Sequence, residues 1–183
     1  MMRGNVVMKN QVRSNLKKLT LAALFAALTC VSTLIVLTYS PSGGYIHFGD
    51  CFVLLSGFML GPLWGGIAAG IGAALTDLIL GYAVYIPATF VIKWAMAAVA
   101  ALLLKLMLRK NLRYAALKRA LAAVAAGIVM VGGYFGYECI LYGFEGAFPN
   151  IFMNLIQAAA GVVSASVLMI PLTKIGYIKR FFE

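Results

Sequence analysis

CFVLLSGFMLGPLWGGIAAGIGAALTDLIL, residues 51–80, is almost unbroken apolar sequence, with a Gly61-Pro62 step in its first half. A helix that crosses a bilayer needs about 20 such residues. Glycine ends helices readily, and proline suits the first turn of the next helix, where its missing N–H is not needed. The stretch therefore reads as two spans joined by a tight turn, the first of them short. That reading sets the parity of the whole chain.

Working outward, one apolar run precedes this stretch, at Leu19–Tyr39. Three follow it, at about Pro87–Leu104, Ala120–Leu141 and Pro149–Pro171. Composition agrees: 63% of the 183 residues are hydrophobic and 11% charged, with a mean hydropathy of +0.97, whereas about a quarter of a soluble domain is charged. The expected fold is an all-α integral membrane protein, six transmembrane helices in one compact bundle. Residues 1–183 form a single membrane domain, with a basic segment at 1–18, the bundle at 19–175 and a tail at 176–183. The first run is full length and lacks a small-residue cleavage pattern, so it is expected to stay as a helix.

The net charge of +10 takes its meaning from where it falls. Arg3, Lys9, Arg13, Lys17 and Lys18 precede the first span. Lys105, Arg109, Lys110, Arg113, Lys118 and Arg119 lie between the fourth and fifth, and Lys174, Lys179 and Arg180 follow the sixth. Six spans place fourteen of the fifteen basic residues on one side, and five or seven would split them. The positive-inside rule makes that side cytoplasmic and puts both termini there. The pattern reads as topology and attraction to anionic lipid, not as a nucleic-acid surface.

The opposite side collects the unusual residues. Asp50, Asp77, Glu138, Glu145, His47 and Lys93 fall in outer loops or outer halves of spans, with seven of the nine tyrosines. An aromatic belt accounts for some of the tyrosines but not for their one-sidedness. An ionisable group inside a span costs at least a few kcal/mol, so Asp77, Lys93 and Glu138 are expected to face one another, water or a ligand. The polar loop GGYIHFGD, residues 43–50, lies at the mouth of the outward-facing pocket this implies.

Small residues four apart recur at Ala22/Ala26, Ala23/Ala27, Gly57/Gly61, Gly66/Gly70 and Gly132/Gly136, a spacing that lets helix backbones approach. For most, packing within the chain suffices. The alanine pairs sit near the cytoplasmic end of the first span, where a partner protein can dock. No Gly-Lys dipeptide occurs, which excludes a phosphate-binding loop of the GxxxxGK[ST] kind. One histidine and the scattered Cys30, Cys51 and Cys139 give neither metal-ligand spacing nor a disulfide framework. Asp50 and Asp77 lack the surroundings of an intramembrane aspartyl protease. No catalytic residue, metal or cofactor is expected in this chain.

Tyr45-Ile46-His47-Phe48-Gly49-Asp50, then Gly61-Pro62, Gly70, Gly72, Leu75, Asp77, Leu78, Gly81 and Tyr82, then Pro87, Thr89 and Lys93, together resemble the substrate-capture (S) component of energy-coupling-factor (ECF) vitamin transporters. Asn150, Asn154, Gln157 and Gly161 in the sixth run extend the likeness, which covers Lys17 to Ile175. The alanine pairs Ala22/Ala26 and Ala23/Ala27 resemble the family's A-x-x-x-A docking motif.

The resemblance implies a six-helix protein of the bacterial plasma membrane that binds a vitamin or precursor from outside. Its partners would be a transmembrane coupling (T) subunit and two cytoplasmic ATPases, so that ATP is used by other chains. The loop after the first span would fold over the ligand as a lid, with Gly43 and Gly44 as its hinge. The substrate-binding set is then Tyr45, His47, Asp50, Asp77, Tyr85, Lys93, Trp94, Tyr137, Glu138, Asn154 and Gln157. Tyr85, Trp94 and Tyr137 would act as aromatic walls, and the others as hydrogen-bonding groups. The lid and the T-x-x-x-K stretch most resemble the branch that takes pyridoxine or hydroxymethylpyrimidine. Riboflavin, pantothenate, folate and queuosine precursors are the alternatives. A stand-alone secondary transporter or channel would usually show an internal repeat, and none stands out; an intramembrane enzyme is the third class.

Overall fold

The computed structural model describes residues 2–39, 45–110 and 113–174. In chain order these form α1 (Met2–Leu34), β1 (Val36–Tyr39), β2 (Tyr45–His47), α2 (Gly49–Leu80), a short 3-10 turn (Ala83–Tyr85), α3 (Ile86–Lys110) and α4 (Ala115–Leu172). Four helices among the described residues are long and apolar enough to cross a membrane, at Asn15–Leu34, Gly49–Leu80, Ala83–Arg109 and Ala115–Leu172. Apart from the small β1–β2 ribbon and short turns, the described residues are all helical.

Two of these helices fold back on themselves. In α2, Gly61 has φ 79° and ψ −176°, outside the helical region, with Pro62 directly after it. Ser56 Oγ donates to the Gly65 carbonyl at 3.0 Å although the two are nine residues apart, a separation of about 13 Å in a straight helix. The chain therefore reverses at Gly61, where the sequence placed the turn. In α4, Gly143 has φ 75° and ψ 172°. A Cβ on Gly127 would lie 3.2 Å from the Ala158 Cβ, whereas one straight helix would hold those residues roughly 45 Å apart. The left-handed φ at each turn is one that glycine alone adopts freely.

Element limits differ from the sequence expectation at two places. The first run was expected to be helical to Tyr39, but α1 ends at Leu34 and Val36–Tyr39 is a strand. Ile35, Val36 and Thr38 are β-branched and favour extended backbone. β1 pairs antiparallel with β2 (Val36 with His47, Thr38 with Ile46, Tyr39 with Tyr45), so the polar loop is drawn back over the helix ends. The last helical arm starts directly after Gly143, ahead of the expected Pro149. Pro149 lies inside that arm, where it removes one backbone bond without ending the helix.

α2 packs on α1, α3 and α4. Contacts are backbone-close: a Cβ on Gly72 would stand 2.8 Å from the Thr29 Cβ, and one on Gly161 2.8 Å from the Asp50 Cβ. Val53, Leu54, Ala69, Met96, Ala97 and Met130 fill the buried centre. Gly57, Gly66 and Gly70 also pack against α3, but Gly132 and Gly136 meet no atom within 4 Å and face outward. The alanine pairs divide as well. Ala22 is buried, Ala26 is half-buried against Gly72, and Ala23 and Ala27 are exposed. Gly43, Gly44, Lys179 and Arg180 lie outside the described residues.

Candidate ligand-binding site

One cavity opens where β2 meets the ends of the helices. α1 contributes Thr33, β2 Tyr45 and His47, and α2 Ala73 and Asp77. The α2–α3 connection adds Tyr82 and Tyr85, α3 adds Thr89, and the two arms of α4 bring Tyr134, Glu138, Asn154 and Gln157. Residues far apart in sequence meet here because α2 and α4 each reverse, returning the chain to the same end of the bundle.

β2 is fastened on both flanks. The Tyr45 hydroxyl donates to Asp77 Oδ1 at 2.7 Å, and the His47 backbone N–H donates to Gln157 Oε1 at 3.3 Å. The Gly49 N–H donates to His47 Nδ1 at 2.9 Å, so a neutral His47 carries its proton on Nε2. It is held neutral: burial pushes the imidazole down to about 3, with Lys93 adding to the effect and Asp50 opposing it. Burial, then the neighbouring Asp77 carboxylate, holds the Tyr45 hydroxyl far above its ordinary range and keeps it a donor.

Aromatic rings line one side in succession. Tyr45 and Tyr82 have centroids 5.2 Å apart, Tyr82 and Tyr85 6.3 Å, and Tyr85 and Tyr137 5.7 Å. Tyr137 stands behind Tyr85 and is fixed by its hydroxyl, which donates to the Val84 carbonyl at 2.6 Å.

Beneath the cavity lies a closed polar group. Lys93 and Asp50 form an ion pair with both side chains fully buried. Gln157 Nε2 donates to Asp50 Oδ2 at 3.0 Å. The Lys93 ammonium also sits 5.3 Å from the Tyr134 ring centroid, within cation–π range, and Tyr134 donates to Thr89 Oγ1 at 3.2 Å. Lys93 was expected to face Asp77, Glu138, water or a ligand; its hydrogen-bonded partner is Asp50, at the start of α2 and packed against Gly161.

Of the substrate-binding residues expected from sequence, Tyr45, His47, Asp77, Tyr85, Glu138, Asn154 and Gln157 line the cavity together. Asp50 and Lys93 support its floor, and Tyr137 backs its wall. Trp94 lies elsewhere: it is 38% exposed, with its indole against Gly66 on α2. Thr33, Tyr82, Thr89 and Tyr134 line the cavity without having been singled out as contacts. A signal existed for Tyr134, which precedes Glu138 by one helical turn and so shares its face. Tyr82 and Thr89 stood inside the family-like string.

Residues 13–174 match the family model described as ECF-type riboflavin transporter, S component. The chain belongs to this family. As an S component it is a multi-pass membrane protein of the transport class and not an enzyme. It is similar to the thiamine precursor transporter HmpT of Lactococcus lactis subsp. cremoris, at 30% identity over 95% of this chain and 98% of that one. It is also similar to an uncharacterized protein of Pyrococcus woesei, at 34% identity over 75% of this chain and 88% of the relative.

Proposed function

We propose that this S component captures a small heteroaromatic vitamin precursor of the hydroxymethylpyrimidine or pyridoxine type at the outer face of the membrane. It passes that cargo to an ATP-driven coupling module. The observation that carries the reading is the cavity itself: a tyrosine wall for a flat ring, with His47, Asp77, Glu138 and Asn154 around it for polar edges. The likeness to a thiamine precursor transporter supports the same reading. Riboflavin, in the family's description, is the second reading.

The reversals at Gly61 and Gly143 support six crossings, and the basic clusters support cytoplasmic termini, which leaves the cavity facing out. β2 acts as a lid, fastened through Tyr45 and His47. The chain has no phosphate-binding loop, so ATP is used by two cytoplasmic ATPases through a transmembrane coupling subunit. Ala23 and Ala27, exposed on α1, offer that subunit a close helix contact.

Calorimetric titration of the detergent-purified chain with hydroxymethylpyrimidine, pyridoxine, thiamine, riboflavin and pantothenate tests the cargo. Tight one-to-one binding of either of the first two supports the reading, and preference for riboflavin replaces it with the second. Proteoliposomes test the coupling: accumulation by this chain alone would make it a self-sufficient transporter and overturn the ATP-driven assignment.

A further inference from the structure

Asp77 and Glu138 both line the cavity, on α2 and α4, at 4% and 3% exposure. Each has a carboxylate oxygen left over. Asp77 gives Oδ1 to the Tyr45 hydroxyl, while its Oδ2, with the Thr89 hydroxyl nearby, is buried without a well-formed hydrogen bond. Glu138 Oε2 is buried and unbonded as well, although Tyr85 and Asn150 neighbour the carboxyl. A buried acceptor without a donor is costly, and most proteins avoid it. Two in one cavity mark where a ligand's donors belong.

Charge narrows the ligand further. No lysine or arginine lines the cavity among the described residues. Lys93, the cation nearest by position, is bonded to Asp50 beneath the floor. His47 adds no positive charge, since its Nδ1 is occupied by the Gly49 N–H and burial, with the Lys93 charge, outweighs the opposing Asp50 carboxylate. A phosphate or carboxylate here would face two acidic side chains with no cation to balance it.

Resting on the reading of this cavity as the cargo site, we infer that Asp77 and Glu138 form a specificity pair. They accept from amino or ring N–H groups of a neutral or cationic heteroaromatic ligand and reject its anionic forms, phosphate esters first. The cargo is thus taken up before phosphorylation, and any phosphorylation follows delivery.

The full chain in detergent is titrated with hydroxymethylpyrimidine, with the analogue in which hydrogen replaces the ring amino group and with its phosphate monoester, and in parallel with riboflavin and its phosphate monoester. The amine should bind at least about tenfold more tightly than the desamino analogue and the ester, the scale set by leaving one buried acceptor unpaired. Glu138→Gln and Asp77→Asn should each shrink that preference. Equal binding of the desamino analogue or the ester overturns the pair, and the unsubstituted protein alone gives this result if a variant does not fold. Riboflavin bound in place of the pyrimidines displaces the proposed cargo but not the pair, which then falls only if riboflavin phosphate binds equally well. If no probe binds, mass spectrometry of the molecule released from the denatured protein decides: an anion overturns the inference, and a neutral or cationic N–H compound supports it.

Discussion

Lys93 and Asp50 pair with no solvent exposure on either side chain, and Gln157 completes the group by bonding Asp50 and the backbone of His47 with opposite ends of its amide. Removing one partner strands a buried charge, at a cost of about 3–5 kcal/mol. Asp50→Asn and Lys93→Met should each lower unfolding stability in detergent by that order, whereas the combined Asp50→Asn/Lys93→Met protein should lose clearly less than the sum. Simple additivity in the double-mutant cycle would show that the pair is not coupled.

Lid retention should depend on Tyr45. Tyr45→Phe removes the bond to Asp77 and keeps the ring, a loss of about 1 kcal/mol. Bound ligand should leave roughly fivefold faster, with association little changed. Stopped-flow displacement measures both rates; an unchanged release rate would mean the lid is not held there.

His47 predicts an acid-side instability. Its folded value of about 3 lies below the unfolded 6.5, so between those limits the unfolded chain binds more protons. Stability is then fully present above about pH 6.5 and declines as pH falls, by at most about 1.4 kcal/mol per unit. His47→Asn keeps an acceptor for the Gly49 N–H and should flatten this part of the profile. Carboxylates titrate in the same window, so the difference between the two proteins is the quantity to follow from pH 6.5 to 4.5.

At Gly61 the surroundings are open, with nothing within 4 Å of an added Cβ, yet φ is +79°. Gly61→Ala therefore isolates the backbone cost, about 1–3 kcal/mol. Gly61→Asn should cost about as much, because at ψ −176° the backbone lies outside the left-handed helical basin that asparagine tolerates. A clear difference between the two would place the cause in side-chain packing.

On α1, exposure separates docking from folding. Ala23→Trp and Ala27→Trp should block assembly with the coupling subunit and leave ligand affinity intact. Ala22→Trp, at a buried position, should impair the protein itself. Co-purification and titration on the same samples distinguish these outcomes.

Much of this was legible because the bilayer imposes simple signals. Apolar run length and the Gly61-Pro62 step located the α2 reversal, and scarcity of charge made each acidic residue conspicuous. Partners were harder to read. Asp50 and Asp77 look alike in sequence, and only their depth in the bundle assigns Lys93 to the former. Trp94 follows Lys93 directly, but the helical rotation of about 100° between neighbours turns it away. The strand at Val36–Tyr39 was hidden because its residues are as apolar as the helix before it, and hydropathy does not distinguish the two conformations.

The glycine contacts at Gly72 and Gly161 carry a consequence for how such proteins diversify. Where main chains already touch, helix spacing has no slack, and a larger or smaller cargo cannot be fitted by shifting the frame. New selectivity has to be written in the few side chains that face the ligand. Engineering toward another compound should therefore begin with Asp77, Thr89, Glu138 and Asn154 and leave the glycines alone.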